Sequence, residues 1–373
     1  MPIKRVKQHL VYENRWLRLY NDEIEHPDGS AGTFSWVERN NGRGGAIAVP
    51  RLPDGRLLLV KVHRYVPDRW SWEFPGGGIG ASESVEQTAL RELAEETGLR
   101  GTRARAIGRF SSDSGFIAVR HTAVLVDLPD GAEKDLSLDP QESLADAKFV
   151  SPQQAWQMVG SGEIFDGTTI TALGLLQVAD GRHETDNPPG PAGAHPVTVR
   201  VKLVYDSPWW RLYEDDIARP DGAQGIYIRV ATSSGSGAIM VAPRTPSGKH
   251  LLIRTYRYPV KQELWEFPAG LVEPGEDPVE TATRELEEET GLRASSASLI
   301  GTQFPVSGLI SDTFYTVLAE VPESDESSLA LQEDEGIVGA KFVTLDELQQ
   351  MVRNNEIRDG VTLGVIARLL AAE

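Results

Sequence analysis

The sequence predicts an α/β protein built from two tandem copies of one domain, each opening with a small antiparallel β extension. Three observations point there: a self-match at one fixed offset, a strand–helix–strand–helix order inside each copy, and a length of 373 residues, enough for about two domains.

The offset is constant. Pro27-Asp28-Gly29 recurs as Pro220-Asp221-Gly222, Arg64-Tyr65 as Arg257-Tyr258, Trp72-Glu73-Phe74-Pro75 as Trp265-Glu266-Phe267-Pro268, and Ala147-Lys148-Phe149-Val150 as Ala340-Lys341-Phe342-Val343. Each pair lies 193 positions apart, as 220 does from 27. A register kept over most of each half predicts a tandem duplication, with domains at 1–180 and 197–373 and a linker at 181–196, marked by the polar, Gly/Pro-rich run DGRHETDNPPGPAGA from Asp180 to Ala194.

Within the first copy, Leu17 to Tyr20 and Thr33 to Glu38 carry β-branched and aromatic residues on either side of a Pro-Asp-Gly turn, which predicts the extension. Ala46 to Val49 and Leu57 to Val62 flank Pro53-Asp54-Gly55 and predict a second hairpin. Over Ser82 to Thr97, Val85, Ala89, Leu90 and Leu93 form one helical stripe, and Gly98 stands in the stop position. The second copy marks its helix more sharply, with Asp277 as N-cap, Pro278 as first residue and Gly291 as terminator. Strands at Ala118 to Asp127 and Thr313 to Glu320 follow, and a last helix, Pro152 to Met158 or Leu345 to Arg353, closes each copy.

Composition removes several function classes. With no cysteine there is no disulfide framework, thiolate zinc site, iron–sulfur cluster or cysteine nucleophile. A formal net charge of −18 opposes nucleic-acid binding, and the sequence shows no local basic patch to offset it. Apolar runs such as Leu57 to Val60 are far shorter than the ~20 residues of a membrane span. The opening MPIKRVKQHL has no apolar signal core, so the expectation is a soluble, cytoplasmic protein with no nucleic-acid or membrane partner. An anionic small substrate would need a metal to help bind it.

The most informative element is the acidic helix. It reads Gly77-x5-Glu83-x7-Arg91-Glu92-Leu93-Ala94-Glu95-Glu96 in the first copy and Gly270-x5-Glu276-x7-Arg284-Glu285-Leu286-Glu287-Glu288-Glu289 in the second. Glu92 and Glu96 are four apart and share a face, with Glu95 beside them. Like charges so placed destabilise a bare helix, whereas a hard divalent cation, Mg²⁺ or Mn²⁺, would reverse the penalty. Arg91 or Arg284 can hold the group by charge-assisted hydrogen bonds. The Gly-rich turn before it lets a backbone carbonyl, that of Gly76 or Ala269, approach as a further ligand. A Glu-rich helix is usually a solvated face, but a solvated face requires neither the fixed glycine nor the upstream glutamate that both copies share.

At these residues both halves resemble the Nudix box, signature of the Nudix hydrolases. The resemblance implies an α/β/α sandwich in each half and metal-dependent hydrolysis of a nucleoside diphosphate linked to a moiety X. It implies metal ligation by Glu92, Glu95 and Glu96 and by Glu285, Glu288 and Glu289, with Gly77, Glu83, Arg91, Gly270, Glu276 and Arg284 structural. Trp265 to Gly270 and the N-terminal extensions resemble the ADP-ribose pyrophosphatase branch. That branch tends to carry a proline some fifteen residues past the box; Pro305 fits, while its counterpart Ser112 departs. In such enzymes Arg257 and its twin Arg64 would bind phosphate, Tyr227 and Phe34 would stack on adenine, and Glu73, Glu266, Ser307 and Gly308 would line the substrate.

The resemblance also implies an acidic loop well after the box, with one glutamate on the metal and another positioning water. Glu333-Asp334-Glu335 fits, and Glu335 joins the metal ligands; in the first copy Glu335 maps to Glu142 but Glu333 maps to Pro140. The general base is left open among Glu333, Glu335, Glu288, Glu95 and Glu142. Both copies carry a complete box, which favours activity in both; the alternative is a first copy that binds nucleotide with little turnover. Such pyrophosphatases are typically homodimers, so the two halves could form an intramolecular pseudo-dimer. The X group stays open among ADP-ribose, ADP-glucose, GDP-mannose and reduced dinucleotides. A transcription regulator of this family would need a basic helix-turn-helix, which the sequence does not show.

Overall fold

The computed structural model describes residues 3–26, 29–39, 43–138, 144–180, 197–219, 222–332 and 336–371. In each half the extension is a four-stranded antiparallel sheet: Leu17–Glu25 pairs with Lys4–Lys7, Leu10–Glu13 and Ala31–Arg39, and Trp210–Ala218 makes the equivalent pairings. The predicted extension is therefore present in both copies.

A seven-stranded mixed sheet follows, ordered Leu144–Val150, Leu57–Arg64, Gly45–Arg51, Arg120–Asp127, Arg103–Ser111, with two short strands pairing on the second and third of these. Gly45–Arg51 and Arg120–Asp127 run parallel, which brings the end of one beside the end of the other. These strands read as near-continuous apolar runs because both sheet faces are covered. Ala46 and Ala48 pack with Ala89 and Leu93 on one face, while Ile47 and Val49 pack with Trp156 and Leu173 on the other. The alternation follows from the period of two along a strand.

The described residues form six α-helices: α1 Val85–Thr97, α2 Pro152–Gly160, α3 Gly167–Asp180, α4 Pro278–Thr290, α5 Leu345–Arg353 and α6 Gly360–Ala371. Helix α1 starts at Val85, three residues after the Ser82 that opens the expected run, because Ser84 caps it in a reciprocal capping box with Gln87. Gly98 and Gly291 end α1 and α4 at φ 71° and 75°, the left-handed region where a Cβ is disfavoured. The strands expected from Ala118 and Thr313 begin instead at Arg120 and Phe314.

The expectation that α2 and α5 are the last helices is wrong, since α3 and α6 follow them. Both are apolar nearly all round, TALGLL in one and GVIARLL in the other, so they show no amphipathic stripe. A helix of that kind is buried on every side. Here α3 and α6 pack on each other in one core that runs through both halves and includes Leu173, Leu176, Val365 and Ile366. A Cβ on Gly174 would lie 2.8 Å from the Ala367 Cβ, so the glycine lets the helix backbones approach. Asp180, at the head of the predicted linker, is the last residue of α3; residues 181–196 lie outside the described ones.

The extensions also meet across the halves. Leu17, Leu19, Val37 and Phe116 share a cluster with Leu212, Ile228, Val230 and Ile310, and the Phe116 and Trp210 rings stack at 4.1 Å. Tyr258 donates to buried Asp22 at 2.7 Å, and in the matching pair Tyr65 donates to Asp215 at 3.3 Å. No helix among the described residues is long and apolar enough to cross a membrane.

Because α3 and α6 share one core, Leu173→Ala should cost about 2–5 kcal/mol and lower the stability of both halves in one transition. Urea unfolding followed by tryptophan fluorescence checks this. Two separate transitions, only one of them shifted, would contradict a shared core.

Candidate active site

The box glutamates stand on and just before α1 and α4, with one arginine in each half among them. Arg91 Nε donates to Glu83 at 2.8 Å, Nη1 reaches Glu92 at 2.9 Å and Glu95 at 2.7 Å, and Nη2 donates to the Gly78 carbonyl at 3.1 Å. Arg284 does the same for Glu276 at 3.1 Å, Glu285 at 2.8 Å and Glu288 at 2.9 Å. The Arg91 hydrogen bond, with help from Thr88 and Gly80, holds the Glu83 carboxyl down at about 2; Glu276 is lowered by Arg284 in the same way. Both glutamates are thus fixed anions that anchor the arginine.

The glycine turn closes on the same helix. A Cβ on Gly77 or Gly270 would collide with the carboxylate of Glu92 or Glu285, so only glycine leaves room there. The Gly76 amide donates to Glu96 at 3.2 Å and the Ala269 amide to Glu289 at 3.2 Å. Glu95 and Glu288 project outward, about half exposed.

Among the described residues no three acidic or histidine side chains converge closely enough to enclose a metal ion. The expected ligand or base residues Glu142, Glu333 and Glu335 lie outside the described residues. The donor set that is present, carboxylates four residues apart beside a glycine turn, contains only hard oxygen ligands and fits Mg²⁺ or Mn²⁺.

The two arginine–glutamate pairs lie on neighbouring strands. Arg64 binds Glu73 through Nε at 2.9 Å and through Nη2, and Arg257 binds Glu266 through Nε at 2.8 Å and Nη2 at 2.6 Å. Burial raises both glutamates, Glu73 to about 7, against the opposing pull of the arginines.

Each pair is completed by the opposite half. The Tyr227 ring lies tilted against Tyr65 at 4.4 Å and its hydroxyl donates to the Gly308 carbonyl at 2.9 Å, and Arg64 Nη1 lies 3.6 Å from where a Gly308 Cβ would sit. Ser307 donates to Asp166 at 2.6 Å. Thus Tyr227, Ser307 and Gly308 gather around Arg64, in the other half from their own. Reciprocally, the Phe34 ring lies tilted against Tyr258 at 5.0 Å, Arg257 Nη1 lies 3.6 Å from a Gly115 Cβ position, and the Ser114 hydroxyl lies within hydrogen-bond distance of both Glu266 and Asp359. Both aromatics expected to meet a base lie against tyrosines of the opposite half.

Sequence reasoning missed Asp166, Asp359, Ser114, Asp113 and Arg39. The first two were within reach of the repeat, because Asp166-Gly167 and Asp359-Gly360 keep the 193 offset. Each carboxylate caps the helix after it, through Thr169 at 2.8 Å and Thr362 at 2.8 Å, and binds the donated serine. Asp113 has no such signal, since its counterpart is Val306. Burial, then Asp359, pushes its carboxyl up to about 7. Arg39 lies against Gly78, whose Cβ would strike its guanidinium; burial lowers its pKa against the field of Glu92. The second half has Thr232 and Leu271 at these positions.

Gly77→Ala should keep its circular dichroism but displace Glu92 and lose roughly 10–100-fold in affinity for the divalent ion, read by calorimetry with Mn²⁺. Unchanged affinity would contradict the close packing. For Asp113, a folded pKa of about 7 above the ordinary 3.8 means the folded state holds the proton more tightly. Stability is therefore lost as pH rises from 3.8 through about 7. Asp113→Asn should gain in melting temperature over the parent at pH 8 relative to pH 5. An equal difference at both pH values would refute the shift.

Comparison with known proteins agrees with this geometry. The NUDIX domain family matches residues 42–172 and 235–362, and the nucleoside diphosphate sugar hydrolase N-terminal domain matches residues 3–37. The chain is 31% identical over 176 residues to an ADP-ribose pyrophosphatase of Bacillus subtilis, covering 47% of this chain and 93% of that protein. It is 31% identical over 173 residues to the CMP-5'-(N-acetyl-N-hydroxy-3-aminopropyl)phosphonate hydrolase of Streptomyces rubellomurinus, 46% of this chain and 79% of that one. To the ADP-sugar pyrophosphatase of Mus musculus it is 28% identical over 156 residues, 40% of this chain and 70% of that one. With a matching domain in each half, the chain belongs to the NUDIX domain family.

Proposed function

We propose that this Nudix pyrophosphohydrolase cleaves the diphosphate bond of ADP-ribose or a related sugar nucleotide at two sites, giving a nucleoside monophosphate and a sugar phosphate. The observation that carries the proposal is the arginine-anchored glutamate cluster against a glycine turn, built alike in both halves. Likeness to the two ADP-ribose and ADP-sugar pyrophosphatases supports the substrate class.

Glu92, Glu95 and Glu96 with the Gly76 carbonyl would hold the divalent ion in the first site, and Glu285, Glu288, Glu289 and Glu335 with the Ala269 carbonyl in the second. An ion so bound supplies charge neutralisation for the diphosphate and a more acidic water. Arg64 and Arg257 are oriented by Glu73 and Glu266 and direct a guanidinium fork at the diphosphate. Arg91 and Arg284 keep repelling carboxylates aligned before substrate arrives, so little reorganisation is left for the reaction. Water adds to one phosphorus while the bridging oxygen leaves with the other phosphate, and the proton passes to a carboxylate. Glu95, Glu288, Glu142, Glu333 and Glu335 are the candidates for that base.

The domains span 1–180 and 197–373 around a linker at 181–196, and the reciprocal tyrosine–aspartate pairs support their reading as an intramolecular pseudo-dimer. Glu96→Gln and Glu289→Gln test the reading separately. Each should remove one share of Mg²⁺-dependent ADP-ribose hydrolysis, falling at its own site by at least the ~10–100-fold that a supporting residue costs at a metal site. The double variant should be inert. If Glu96→Gln leaves total hydrolysis unaltered, the first half is no enzyme; if the double variant keeps full activity, the box is not the site.

A further inference from the structure

The loops that cross between the halves do more than cover the sites. In the C-terminal site, Glu266 holds Arg257 through Oε2, while its other oxygen accepts from Ser114 Oγ at 2.9 Å. The same hydroxyl lies 2.8 Å from Asp359 Oδ1, and Asp359 also accepts from the Ser114 amide at 3.3 Å. Ser114, Glu266 and Asp359 are all nearly inaccessible to solvent. A hydroxyl has a single proton to donate, so it serves one carboxyl at a time. Ser114 therefore stands between the two carboxyls and fixes where the free edge of Glu266 points.

The N-terminal site has the reciprocal arrangement with fewer serine contacts. Ser307 donates to Asp166, which acts electrostatically on both Arg64 and Glu73, and Gly308 lies against the Arg64 fork. In both sites the serine comes from one half and the arginine from the other. Each serine is held from below by an aspartate that caps α3 or α6, the two helices packed together at the centre of the molecule.

We propose that Ser114 and Ser307 are positioning residues acting across the halves: each aligns the glutamate–arginine pair of the opposite site, so that each half sets the substrate affinity of the other. The proposal rests on the reading of Arg257 and Arg64 as diphosphate-binding groups. Ser114 touches Glu266 itself, so its effect exceeds that of Ser307. Removing its hydroxyl takes the Ser114 donor from the free oxygen of Glu266 while Asp359 keeps the residue-114 amide, which releases Glu266 and misaligns Arg257.

The test uses the full chain in single-site backgrounds. Glu96→Gln leaves the C-terminal site to be measured, and Glu289→Gln leaves the N-terminal one. Ser114→Ala in the first background should raise KM for ADP-ribose roughly tenfold with kcat within about twofold, and its KM effect should be several-fold smaller in the second. Ser307→Ala should show the opposite preference with a smaller rise, and serves if Ser114→Ala does not fold. A fall in kcat at constant KM, the mark of a smaller folded fraction, overturns the proposal. So does a KM rise that is equal at both sites. Calorimetric titration of the Glu96→Gln/Glu289→Gln protein with ADP-ribose and Mg²⁺ separates this from failure of the hydrolytic reading. If neither single-site protein turns over ADP-ribose, the activity is wrong, yet Ser114→Ala should still weaken one of two binding events. No change in either event overturns the positioning role, and no binding at all overturns both.

Discussion

Everything at the two sites depends on a guanidinium lying among carboxylates that would otherwise repel one another. Arg91 spans Glu83, Glu92 and Glu95, and Arg284 spans Glu276, Glu285 and Glu288. Arginine suits the task because its planar fork carries several donors at fixed angles, where a lysine would offer one point charge. The glycine turn is a consequence of this packing. With the carboxylate of Glu92 pulled back against the strand, no side chain fits at residue 77.

A second constraint is the joint between the halves. The helices α3 and α6 bury their sides in a common core, and their capping aspartates reach out of that core to the loops of the opposite half. The backbone follows the same path: the Gly167 amide donates to the Phe304 carbonyl at 2.8 Å, and the Ser111 amide to that of Arg358 at 2.9 Å. A Cβ on Gly360 would lie 2.6 Å from the Ser111 carbonyl oxygen, so the crossing strands leave no space there. The geometry of each arginine–glutamate pair is thereby tied to the packing at the centre of the molecule.

The sequence revealed the duplication, the sheet-rich halves and the box, because each depends on local chemistry repeated at fixed spacing. Asp277, Pro278 and Gly291 are legible as caps since capping involves neighbours in the chain. The pair α3 and α6 was not legible as helices, because a segment buried on all sides loses the contrast between faces that periodicity detects. Nor could the sequence show that Ser307 and Tyr227 stand with Arg64 instead of Arg257. That assignment depends on a crossing between halves separated by long stretches of chain. Asp113 and Arg39 were hidden for a further reason: each lacks a counterpart, and a search built on self-similarity passes over whatever the copies do not share.

The covalent joining of the copies has one more consequence. In an assembly of identical subunits a surface must complement itself, and any substitution is felt at both sites together. Once both partners are encoded in a single chain that restriction disappears. An acidic side chain at 113 can face one centre while valine at 306 faces the other, and a cation at 39 has only threonine at 232 as its opposite number. The molecule can thus keep a common scaffold while its two reaction chambers drift toward different chemical tastes.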